Sequence, residues 1–168
     1  ACKDSARESL GLQNDKFIVG SFQRDTEGHD LKSPKLEKGP DLFFDYVNNN
    51  FDKKNTMVLL GGWRRQYLIN RLEEAGIEYK YFEMAPLEKL KTMYAACDLY
   101  VVSSRVEGGP QAILESAAMK VPIVSTDVGM ATAVLNDNCI FNVGEKHHEP
   151  TDEDVEENYQ KVYEFELK

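Results

Sequence analysis

The chain reads as a single α/β domain over residues 1–168, built on a doubly wound, six-stranded parallel sheet of Rossmann-like type. Three observations predict it. Short apolar, β-branched runs at residues 17–19, 56–60, 79–82, 99–103, 121–125 and 139–143 have the length and composition of buried strands. Helical stretches fall between them, at 41–51, 65–75, 87–97, 111–119 and, more briefly, 130–135. Strand followed by helix, repeated along the chain, requires a parallel sheet covered on both faces. Finally, 168 residues with 42% hydrophobic content suffice for one buried core and are too few for two ordinary domains.

Taken in order, residues 1–12 read as the end of a helix, as though the chain had been cut from something longer. In the 65–75 helix, Leu68, Leu72 and Ala75 recur at helical spacing, and Gly76 follows where a left-handed stop belongs. The chain ends in a predicted helix over 151–165. Thr151 before Asp152, Glu153 and Asp154 supplies a cap and a negatively charged first turn. Val155, Tyr159, Val162 and Tyr163 give this helix an apolar stripe, which must dock on this domain or on a missing one.

Charge and composition narrow the function. The formal net charge is −9, with the acidic excess concentrated in residues 145–166, so a nucleic-acid partner is not expected. The longest apolar runs, 57–60 and 99–102, fall far short of the roughly 20 residues a membrane span needs, and no secretory segment opens the chain. Cys2, Cys97 and Cys139 lie far apart without metal-like spacing and read as reduced thiols, which suits a cytoplasmic location.

In a doubly wound sheet of order three-two-one-four-five-six, ligands bind beyond the carboxyl ends of strands one and four. The loop after strand one, residues 22–39, is long and carries Arg24, His29, Lys32, Lys35 and Lys38. The loop after strand four ends in Glu107-Gly108-Gly109-Pro110 and runs into a helix at Gln111. Gly108 and Gly109 allow close backbone approach, Pro110 suits a first helical turn, and the amides of Gln111 and Ala112 lie at the positive end of the helix dipole. That is an anion site; a plain Gly-Gly-Pro turn is the alternative. Neither a three-glycine dinucleotide turn nor a Gly-Lys-Ser/Thr phosphate loop is present. Glu107 and Glu115 bracket this turn, where carboxylates can accept hydrogen bonds from a polyhydroxylated ligand.

With these residues in view, the sequence resembles the retaining glycosyltransferases of the GT-B fold, family four, the group 1 transferases. The resemblance is carried by Gly20-Ser21-Phe22-Gln23-Arg24 with Pro34-Lys35-Leu36-Glu37-Lys38-Gly39-Pro40-Asp41, by Leu60-Gly61-Gly62-Trp63-Arg64-Arg65, and by the segment from Glu107 to Glu115. It implies the C-terminal, donor-binding half of a metal-independent hexosyltransferase, with a sugar nucleotide such as a UDP- or GDP-sugar as substrate and no cofactor. It also implies a separate N-terminal acceptor domain, absent from this chain, which would leave the isolated chain catalytically incomplete. Membrane contact, if any, would belong to that missing domain.

By the same resemblance Arg24 and Lys38 contact the donor diphosphate and stabilise the charge that develops on it, and Glu107 holds a hydroxyl of the transferred sugar. Gly108, Gly109, Gln111 and Ala112 bind phosphate or sugar oxygens, Glu115 takes the ribose, and Met84 neighbours the base. The family spaces its Arg and Lys-Gly more closely than this chain does, so Lys32 and Lys35 compete with Lys38 for the phosphate role. The intervening residues 25–37 read either as a donor or acceptor contact or as a mobile surface loop. Trp63, Arg64 and Arg65 either face the donor or cap the sheet. The Asp-x-Asp at residues 152–154 opens a helix and is not read as a metal site; His147-His148-Glu149 lacks a second ligand cluster. Two rival readings stand beside the transferase: a sugar-nucleotide epimerase of similar fold, and a non-catalytic nucleotide-binding domain.

Overall fold

The computed structural model describes residues 3–106 and 111–166. Five strands form one parallel sheet: β1 (Phe17–Ser21), β4 (Thr56–Gly61), β5 (Glu78–Phe82), β6 (Leu99–Val102) and β7 (Ile123–Ser125), in the order β5-β4-β1-β6-β7. The strand order reverses between β1 and β6, which places the switch point where the sequence predicts it. Two short antiparallel strands, β2 (Thr26–Glu27) and β3 (Ser33–Pro34), form a separate hairpin.

Strand alternation sorts the core onto two faces. Ile18, Met57, Leu59, Tyr100, Val102 and Ile123 point to one side, where they meet α1 (Lys3–Ser9), α4 (Leu87–Ala96), α5 (Gln111–Ala118) and α6 (Ala131–Val134). Val19, Val58, Leu60, Leu99, Val101 and Val124 point to the other, against α2 (Pro40–Asn50) and α3 (Gln66–Ala75). Because both faces are covered, successive residues of the central strands are all apolar or small. Gly76, at φ 72°, closes α3 with bonds from its N–H to the carbonyls of Leu72 and Glu73, as the sequence predicts.

The expected sixth strand at 139–143 is not a strand. Asn136 caps a 3-10 turn, Asp137–Cys139, by accepting the Asn138 N–H, and this consumes the start of the segment. Only Ile140 bridges to Ser125, and the Phe141 N–H reaches the Ser125 carbonyl at 2.9 Å, so the segment shields the edge of β7 without extending the sheet.

The C-terminal helix α7 (Asp152–Glu166) begins with a reciprocal cap: Thr151 Oγ1 accepts the Asp154 N–H at 3.1 Å and Asp154 Oδ2 accepts the Thr151 N–H at 3.0 Å. It docks on this domain, against α5 and α6. Its buried face is Asp154, Asn158 and Val162, while Tyr163, expected in the apolar stripe, is exposed. Asn158 wins the buried position because its Oδ1 accepts the Asn136 N–H at 2.7 Å, satisfying a backbone donor of the neighbouring turn.

Candidate active site

The first loop is ordered by backbone pairing. The Lys35 N–H donates to the Asp25 carbonyl at 2.7 Å, and residues between them fold out as the β2–β3 hairpin. Asp30 holds the hairpin turn, accepting from the N–H groups of Lys32 and Ser33 and from the Ser33 hydroxyl; these bonds lower its carboxyl to a pKa of about 2. Residues 25–37 are thus closed at their base into a short surface hairpin. Its closure returns the chain to where it left.

After the hairpin, a short turn (Leu36–Lys38) leads to Gly39 at φ 65°, and Pro40 opens α2. A Cβ at Gly39 would stand 1.8 Å from the Ser103 carbonyl oxygen. Only glycine fits both this contact and the left-handed backbone. The turn is clamped to the end of β6: Ser103 Oγ donates to the Gly39 carbonyl at 2.8 Å, and the Arg105 N–H donates to the Glu37 carbonyl at 2.9 Å. Arg105 also grips Asp41 through two parallel bonds of 2.8 and 2.5 Å, which hold the Asp41 carboxyl below its ordinary range.

Beneath this surface lies a buried ion pair. Arg65 Nε meets Asp25 Oδ2 at 2.7 Å with the two residues 1% and 2% exposed. Its other nitrogens donate to the carbonyls of Ser21 and Gly61 and to Ser21 Oγ, at 2.6 to 2.8 Å. Arg65 thus caps the carboxyl ends of β1 and β4, the second of the two roles considered for it. Nothing in the sequence separated it from its neighbour Arg64.

The result is a narrow crevice at the switch point, lined by Arg24 and Lys38 together with Ser21, Gln23, Asp25, Arg65 and Ser103. Of the three candidate lysines, Lys38 lines this crevice, Lys35 pairs with Glu37 at 3.5 Å, and Lys32 is exposed on the hairpin turn. A larger hollow of about 130 Å³ lies elsewhere, between α2 and residues 141–146, and contains none of the candidate site residues.

Glu115 sits half-buried on α5, facing α4, and accepts a long bond of 3.4 Å from the Tyr94 hydroxyl. Burial raises its pKa, and the Tyr94 bond only partly offsets this. Tyr94 packs with Phe22 and Tyr100 at centroid separations of 4.8 to 5.2 Å, which ties the Glu115 region to the chain leaving β1. Helical spacing alone makes Tyr94 look like a core residue, so its link to Glu115 left no trace in the sequence. Gln111 and Ala112 open α5 as expected, and Met84 is 78% exposed on the loop after β5. Glu107, Gly108, Gly109 and Pro110 lie outside the described residues.

The remaining candidates have structural engagements. Asp154 caps α7, and His147 bridges the Tyr46 hydroxyl and Glu149, the latter at 2.7 Å. Among the described residues, no group of three His, Cys, Asp or Glu side chains could hold a metal ion, and no helix is long and apolar enough to cross a membrane.

A parallel sheet of this order, with a cationic crevice at its switch point, is the Rossmann-like architecture found in GT-B glycosyltransferases. Anabaena Alr3699/HepE, solved in complex with UDP-glucose, superposes with a TM-score of 0.73 at 19% identity over 98% of this chain and 48% of its own. The chain belongs to the group 1 glycosyl transferases, whose family pattern it matches over residues 5–164. It is 29% identical over 135 residues to the lipopolysaccharide core biosynthesis mannosyltransferase LpsB of Rhizobium meliloti (strain 1021), covering 76% of this chain. It is 20% identical over 140 residues to the O-antigen biosynthesis glycosyltransferase WclY of Escherichia coli, covering 82% of this chain. The chain spans 36% of the length of each of these two relatives.

Proposed function

We propose that this domain binds the nucleoside diphosphate of a sugar donor and serves a retaining, metal-independent hexosyl transfer. The observation that carries the reading is the closed hairpin, which leaves Arg24 and Lys38 lining one crevice although thirteen residues separate them. Two cations there meet the charge of a diphosphate and stabilise it further as the glycosidic bond breaks and the leaving group gains charge. Glu115, beyond the opening of α5, accepts the ribose hydroxyls, and Met84 flanks the base. The UDP-glucose of the HepE complex and the mannosyl transfer named for LpsB both favour a hexose donor. An acceptor domain beyond this chain completes the reaction, in keeping with the 48% of HepE that this fold occupies.

UDP or GDP is expected to raise the thermal midpoint with EDTA present. A nucleotide at 100 times its dissociation constant contributes about 2.7 kcal/mol. No shift at millimolar concentrations of either nucleotide would overturn the reading. Glu115→Gln gives a second, opposed pair of effects. A carboxyl whose pKa is higher folded than unfolded favours folding below its unfolded value and loses that contribution as pH rises through the folded value. Removing the Glu115 charge should therefore stabilise the free domain at neutral pH, while losing a charged hydrogen-bond partner costs nucleotide binding about 1.5 to 3 kcal/mol. Scanning calorimetry with and without UDP separates the two effects; unchanged UDP affinity would remove Glu115 from the site.

A further inference from the structure

At the rim of the crevice, the turn between β4 and α3 displays an aromatic ring beside two guanidinium groups. Trp63 is 55% exposed, and the guanidinium carbons of Arg24 and Arg64 lie 5.2 and 5.3 Å from its centroid. Like charges gathered at one ring are tolerated because the aromatic face is itself negative. The two arginines differ in how firmly they are held. Arg64 adopts a left-handed backbone at φ 58°, uncommon for a residue with a side chain. Its carbonyl accepts the N–H groups of Asp25 and Thr26, both at 3.1 Å, and its side chain donates to the carbonyls of Thr26 and Gly28. That turn is anchored below by the buried pair of Arg65 and Asp25. Arg24, by contrast, donates through Nε to the Thr26 carbonyl at 3.2 Å, and among the described residues its terminal nitrogens have no hydrogen-bond partner. Neither Arg24 nor Arg64 is ion-paired with a carboxylate among the described residues.

We propose that Trp63 is a positioning residue for the donor site: its ring, fixed by the Arg64 turn, carries the Arg24 guanidinium at the mouth of the crevice with its terminal nitrogens turned to a diphosphate. An arginine side chain loses much rotamer freedom when it binds, and a ring that already holds the guanidinium reduces that loss. Arg64 stays on the turn, tied to the hairpin, and adds a second positive charge to the same rim. The inference rests on the donor-binding reading of the crevice and adds a residue to it.

Trp63 is the single tryptophan of the chain, so its emission reports this contact directly. Titrating the 168-residue chain with UDP, and separately with GDP, in EDTA should change Trp63 emission saturably. The emission midpoint should match the dissociation constant from calorimetry. Arg24→Gln should abolish the emission change. Calorimetry on Trp63→Leu should show UDP affinity reduced about 3- to 10-fold, the scale of one exposed to partly desolvated cation–π contact. Trp63→Phe should restore most of it, with thermal midpoints of all variants in the absence of ligand close to that of the parent. Normal affinity in Trp63→Leu, or equal losses in Trp63→Leu and Trp63→Phe, would overturn the positioning role while leaving the donor site standing. Failure of the unsubstituted chain to bind either nucleotide would instead overturn the donor-binding reading itself, and this inference with it.

Discussion

Arg65→Met is expected to lower the unfolding free energy by about 3 to 5 kcal/mol, because it leaves the Asp25 carboxylate buried without its counter-charge. The carbonyls of Ser21 and Gly61 lose a donor in the same substitution. Against a typical total of about 5 to 15 kcal/mol, this is a large fraction. Urea unfolding of Arg65→Met, Asp25→Leu and the double variant forms a cycle. The double variant should lose much less than the two single losses added together, since each single change strands the other partner. A loss below about 1 kcal/mol in Arg65→Met would mean that the pair does not hold β1 to β4.

Gly39→Ala should have a comparable effect on stability and a further one on binding. The new Cβ would need to occupy space 1.8 Å from the Ser103 carbonyl oxygen, at φ 65°. A left-handed backbone costs about 1 to 2 kcal/mol for a residue with a side chain, and overpacking about 1 to 3 more. Relief of the clash must move either the end of β6 or the turn carrying Lys38, so the fraction that remains folded should bind UDP more weakly. Scanning calorimetry followed by titration calorimetry tests both halves. A midpoint within about 2 °C of the parent would indicate a loss under 1 kcal/mol and contradict the packing described.

The fold was legible because its signals are local and repeated. Each central strand is an apolar run flanked by a helix with its own period, and Gly76 and Thr151 mark helix ends through backbone chemistry that only a few residue types serve. The sixth strand misled because Ile140 and Phe141 carry a strand's composition, while Asn136, four and five residues earlier, diverts the backbone into a turn. The candidate site was legible in its charges and not in its geometry. Arg24 and Lys38 are recognisable as cations, but their convergence depends on backbone pairing across the hairpin, from Asp25 to Lys35, and on the Gly39 turn clamped to Ser103, neither of which shows as a pattern along the chain. Arg64 and Arg65 are indistinguishable by composition. The left-handed backbone of Arg64 leaves it at the rim and its neighbour in the interior. Asp154 and Asn158 lie outside the apolar stripe read in the acidic helix, yet both are buried because each satisfies a backbone N–H.

The hairpin makes the separation of the two crevice cations along the chain a free parameter. Asp25 and Lys35 are joined at its base, so the stretch between them begins and ends at one place, and its length does not enter the distance between Arg24 and Lys38. Doubling a flexible loop costs only about 0.6 kcal/mol of closure entropy. Residues can therefore be gained or lost toward the tip, beyond the Arg64 contact at Gly28, while Arg24 and Lys38 continue to line the same crevice.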